Sequence, residues 1–118
     1  MLAAVLAGVE PRGCWSHFEA LTKVARPSGH EELVLDHVRA WAERGGFAVR
    51  SDSGSNLVVY VPATDGRVSA PVVVLQGHLD MVCERLPDSR NDPAEGRIEL
   101  IGMPGLLQMA HLSRLTGV

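Results

Sequence analysis

The chain has only two cysteines in 118 residues, and Cys14 and Cys83 lie far apart. They form neither the dense framework of a disulfide-stapled domain nor a Cys-x-x-Cys metal pair, so a reducing, cytoplasmic setting is expected. Aromatic residues are scarce, at 4%, and basic residues stand singly within a formal charge of -3. Such a chain has no cationic stripe to track a phosphate backbone and few rings on which bases could stack, so nucleic acid is excluded as a partner. No apolar run approaches the ~18 to 20 residues that a bilayer-spanning helix needs. The apolar opening from Met1 to Val9 also lacks the charged leader and full hydrophobic stretch of a secretory signal. It reads as a helical lead-in, and no membrane association is expected. The glycine-rich phosphate loop of a nucleotide site is missing too.

What is present is a globular balance, 46% hydrophobic and 21% charged, at a length that suits one compact core. After Pro11, the residues Trp15, Phe18, Leu21 and Ala25 recur at the period of a helix with one buried face, until Pro27 ends it. Ser28 stands three residues before Glu31, the spacing of a capping box, so a second helix is expected from about His30. Val34, Val38 and Trp41 would form its apolar side, with Glu32, Asp36, Arg39 and Glu43 toward water, and Gly45 and Gly46 would stop it.

From Phe47 the pattern alternates. Phe47, Val49 and then Leu57 to Val61 flank the turn-forming run Ser51 to Asn56, which predicts a strand pair. Pro71-Val72-Val73-Val74-Leu75-Gln76 is a continuous β-branched run of the kind found in a strand covered on both faces. The expected fold is therefore α/β, a partial layered sheet with two N-terminal helices and a central strand at Val72 to Gln76. In such sheets functional groups sit just past the carboxyl end of a central strand, where this chain places Gly77-His78-Leu79-Asp80. Left unpaired, the apolar strand edge would promote self-association.

His78 and Asp80 are two apart, so on a continuing strand both side chains would point to one side. A neutral imidazole can ligate a metal through one nitrogen while a carboxylate accepts a hydrogen bond from the other and fixes the tautomer. Gly77 would leave room for close approach. On its own a His-x-Asp pair can equally be a polar pair at a strand end, so the motif needs context.

Several blocks supply that context: Arg26-Pro27-Ser28-Gly29-His30-Glu31-Glu32, Trp41-Ala42-Glu43, Gly46-Phe47, Asn56-Leu57, and Val73 through Glu84 around Gly77-His78-Leu79-Asp80. Together they resemble the opening of the aminoacyl-histidine (carnosine-type) zinc dipeptidases, from about Leu6 to about Leu100. The resemblance implies that His78 ligates one of two catalytic Zn2+ ions and that Asp80 orients it. It also implies that residues 1–100 are the N-terminal part of a metallopeptidase catalytic domain acting on Xaa-His dipeptides. After Leu100 the family leads to a glycine-rich segment with a bridging Asp, whereas residues 101–118 contain neither Asp nor Glu. This divergent tail implies a chain truncated before most of the active site and inactive alone, with at most a partial zinc site. The alternative is a non-catalytic α/β binding or assembly module, in which His78 and Asp80 only bond across a strand end.

The remaining candidates have plainer readings. His17, His30 and His37 fall on helices as solvated or capping residues, and Val34 stands where a His-Glu-x-x-His helix would need its second histidine. His111 lies in the divergent tail. Cys83, three residues past Asp80, could offer a thiolate to a metal but reads as a small buried hydrophobe. Glu31 and Glu32 suit a first helical turn rather than acid-base chemistry.

Overall fold

The computed structural model describes residues 4–103 and 106–109; His111 lies outside them. Two helices come first, α1 at Arg12–Thr22 and α2 at Glu32–Arg44. The strands β1 (Ala48–Ser51), β2 (Leu57–Tyr60), β3 (Leu100–Met103) and β4 (Leu106–Met109) follow. Short 3-10 turns occupy Ala4–Leu6, within the expected helical lead-in, and Pro93–Glu95. No helix among the described residues is long and apolar enough to cross a membrane.

The α/β class and its two leading helices are as the sequence indicates, with local differences. Helix α1 closes well before Pro27: the Lys23 amide donates to the Ala20 carbonyl at 3.2 Å, and the Thr22 hydroxyl bonds back to the Glu19 carbonyl at 2.7 Å, a local bond that competes with continued helix. In α2, Val34 and Ala42 are fully buried, and Glu32, Asp36 and Glu43 face water. Trp41 stays 39% exposed, its ring edge-on to His17 at 5.4 Å and tilted against Phe47 at 6.0 Å.

The end of α2 follows from its two glycines. Gly46 has a φ of 76°, a left-handed conformation open to glycine at little cost. With it in place, the Phe47 amide reaches the Ala42 carbonyl at 2.9 Å and the Gly46 amide reaches Glu43 at 3.0 Å. This pair of bonds makes a Schellman ending, with Phe47 swung back onto the helix. The chain then runs directly into β1, which pairs antiparallel with β2 from Ala48↔Tyr60 to Ser51↔Leu57. Asp52 organises the loop between them: its Oδ1 accepts from the Gly54 amide at 2.9 Å and the Asn56 amide at 3.0 Å, and its Oδ2 accepts from Asn56 Nδ2 at 2.9 Å.

The expected central strand is not formed. Val72 to Gln76 carries no strand hydrogen bonding among the described residues, and Val72, Val73, Val74 and Leu75 are 90%, 80%, 80% and 93% exposed. The β-branched run has strand propensity, but a strand exists only where a neighbour accepts its hydrogen bonds. The sheets are instead two separate antiparallel pairs, β1-β2 and β3-β4. Strand β3 lies against the 3-10 turn at Ala4–Leu6, where Leu6 is fully buried.

Candidate functional site

The site is assembled by two backbone contacts between segments far apart in the chain. The Met81 amide donates to the Arg26 carbonyl at 3.0 Å, and Pro27 and Met81 form an isolated parallel bridge. One residue beyond this clamp on one segment, and one before it on the other, are Ser28 and Asp80. The Ser28 hydroxyl donates to Asp80 Oδ2. Arg26 is held in turn by its guanidinium, which donates to the Leu21 carbonyl in the last turn of α1.

His78 and Asp80 meet even though no strand carries them. Nδ1 of His78 lies 2.8 Å from Asp80 Oδ1 and 3.0 Å from the Asp80 carbonyl oxygen. Both neighbours are acceptors, so Nδ1 carries the proton and, in the neutral ring, Nε2 holds the lone pair. The His78 side chain is 82% exposed and that of Asp80 32%. The Ser28 hydroxyl, and then His78, hold the Asp80 carboxyl below the usual carboxylate range, because both bonds favour the charged form. The result is an ionised, oriented carboxylate behind an accessible imidazole nitrogen, the arrangement found behind metal-ligating histidines.

Ser28 is the residue that the sequence did not point to. The expected capping box is absent: the residue before α2 is Glu31, with no side-chain cap bond, and its Oε1 accepts from the Gly29 amide at 2.6 Å. With Glu31 turned to Gly29, the Ser28 hydroxyl goes to Asp80. Nothing in local spacing links residues 52 apart, although both lie in the blocks that carry the family resemblance. Gly77 makes no close approach, since a β-carbon there would meet nothing within 4 Å.

The neighbours add little chemistry. The Cys83 thiol donates to the Met81 carbonyl at 3.4 Å, and burial pushes its pKa up against the pull of the Arg26 guanidinium. His30 and His17 are exposed, and the His17 ring rests edge-on against Trp41 at 5.4 Å. Among the described residues no group of three or more His, Cys, Asp or Glu is placed to hold a metal ion.

The fold is that of an α/β chain whose site pairs His78 with Asp80 and Ser28, and comparison with known proteins shows what it is similar to. No family model matches the chain. Over 87 residues it is 36% identical to the cytosol non-specific dipeptidase of Escherichia coli (strain K12), a match covering 74% of this chain and 18% of that protein. Its fold superposes on the crystal structure of the aminoacylhistidine dipeptidase from Vibrio alginolyticus with a TM-score of 0.83 at 28% identity, covering 92% of this chain and 22% of the other. The chain therefore spans about a fifth of the length of the relatives it matches. The resemblance to dipeptidases is thus shown in both sequence and fold, the fold match being to an aminoacylhistidine dipeptidase.

Proposed function

We propose that the chain supplies one metal-binding arm of a cytosolic dipeptidase that cleaves short peptides, with Xaa-His dipeptides as the substrate class. His78 Nε2 is the ligand atom and Asp80 holds the imidazole in the tautomer that exposes it. The observation that carries this reading is the His78 Nδ1 to Asp80 Oδ1 bond at 2.8 Å on a ring left open to solvent.

Zinc is the ion that the family resemblance suggests. A zinc site takes three or four protein ligands, and the described residues provide one imidazole with its orienting carboxylate. They fit an arm of such a site and not the whole, so no hydrolytic step is assigned to a metal here. The chain alone is inactive on this reading, because the described residues bring together no full ligand set. A second reading, an α/β assembly module without catalysis, draws on the exposed run Val72 to Leu75.

Metal titration separates the two. Zinc or cobalt is added to the purified chain and to His78→Ala while binding is followed by calorimetry and by cobalt absorption. Weak uptake that disappears in the variant supports the metal arm, and equal uptake by both removes His78 from it. In parallel, the chain should release no histidine from β-alanyl-histidine above the His78→Ala control. Release proportional to chain concentration would show that the site is completed by other groups.

A further inference from the structure

We infer that Ser28 is a positioning residue for the site: its hydroxyl, donated to Asp80 Oδ2, holds the carboxylate in the orientation that keeps His78 protonated on Nδ1 and open on Nε2. The inference rests on the reading of His78 and Asp80 given above and extends it to a residue from a different part of the chain.

The geometry divides the Asp80 carboxylate between two donors. Oδ1 takes the His78 ring at 2.8 Å, and Oδ2 takes Ser28. A carboxylate bound through one oxygen alone can swing about its last torsion, which is broad for a terminal sp2 group. Bound through both, it has one orientation. Water competes strongly at this site, because His78 is largely exposed and its stretch of chain has no strand partner among the described residues. The Ser28 bond is anchored independently, since the Met81 to Arg26 bond and the Pro27–Met81 bridge fix the backbone beside both of its ends. The serine is therefore held in place by the fold, and the carboxylate by the serine. The Asp80 carbonyl also faces Nδ1 at 3.0 Å, so removing Ser28 should weaken the tautomer preference without abolishing it.

The test is 15N NMR of His78 at a pH where the imidazole is neutral, which reads the proton's position directly, in the 118-residue chain without metal. The wild-type chain should show the Nδ1-protonated form in excess. Ser28→Ala should reduce the ratio of the Nδ1-H to the Nε2-H form by roughly two- to tenfold, the range for losing one ordinary net hydrogen bond, because the effect reaches the ring only through Asp80 and the Asp80 carbonyl still favours the Nδ1-H form. Ser28→Thr, which restores a hydroxyl, should return the ratio to that of the wild type. The Met81 amide resonance serves as the control that the two segments remain docked. An unchanged ratio in Ser28→Ala with Met81 still docked overturns the role of Ser28 and leaves the His78–Asp80 pair standing. A wild-type chain already dominated by the Nε2-H form overturns the pair itself, and the role of Ser28 with it.

Discussion

Gly96 lies so close to Lys23 that a β-carbon built on it would sit 2.8 Å from the Lys23 carbonyl oxygen and 2.8 Å from the Ala25 amide nitrogen. Its φ is 67°. The 3-10 turn at Pro93–Glu95, which Gly96 closes, is thereby pressed onto the chain leaving α1. Backbone atoms cannot yield as a flexible side chain can, so Gly96→Ala combines a left-handed penalty of roughly 1–2 kcal/mol with a steric displacement of similar size. Gly46 has a comparable φ of 76° with nothing within 4 Å of the built β-carbon, so Gly46→Ala should show the conformational penalty alone. Urea unfolding of the two variants should rank Gly96→Ala as clearly the more destabilised, and equal losses would remove the close approach from the account.

Met81 and the valines before it should differ in hydrogen exchange. The Met81 amide is bonded to Arg26, whereas Val72 to Leu75 are exposed and make no strand. Protection follows local hydrogen bonding and burial. Exchange measured by NMR should be slower at Met81 than at Val73 and Val74, and matching rates would mean that the clamp beneath the site is open in solution.

Acid should loosen the β1-β2 loop in a defined window. The Asn56 side chain, first among several donors, holds the Asp52 carboxyl below the usual range. A carboxyl depressed in the folded state contributes stability above its unfolded value, about 3.9, and that contribution is lost as pH falls through the folded value. The Gly54 and Asn56 amide shifts should therefore stay constant from neutral pH to about 4 and move only below it. In Asn56→Ala the midpoint should rise toward the ordinary carboxylate value. A midpoint that does not move would take the Asn56 side chain out of the explanation.

The unpaired run should make the chain associate. Val72, Val73, Val74 and Leu75 are all at least four-fifths exposed, and an apolar segment with free backbone donors and acceptors pairs readily with another copy. Sedimentation should show species heavier than the monomer as concentration rises, reduced in Val74→Lys. Monomeric behaviour at all concentrations with a sharp cooperative melt would argue that the run is harmless.

Features set by neighbouring residues were legible in the sequence. The second helix with Val34 inward, the glycine stop at Gly45-Gly46 and the strand pair around Ser51 to Asn56 each follow from local chemistry, and the structure contains them, although Ala42 is buried in place of the expected Trp41, which stays 39% exposed. His78 and Asp80 could be paired from sequence because they are two residues apart. The miss at Val72 to Gln76 has the opposite character: composition records a propensity to be a strand, and the strand itself depends on a partner that no local pattern encodes. Ser28 was misread for a related reason. Its spacing to Glu31 suggested a cap, while its actual acceptor, Asp80, is brought to it only by tertiary structure.

That long separation also governs when the site exists. The Ser28–Asp80 bond closes a loop of 52 residues, and the chain entropy surrendered in closing a loop rises with its length. Contacts of such high sequence separation form after local ones, here the helices and the β1-β2 pair. The fixed orientation of the Asp80 carboxylate is consequently a late product of folding and an early casualty of partial opening, so treatments that leave the helical signal intact should already weaken the His78 tautomer preference.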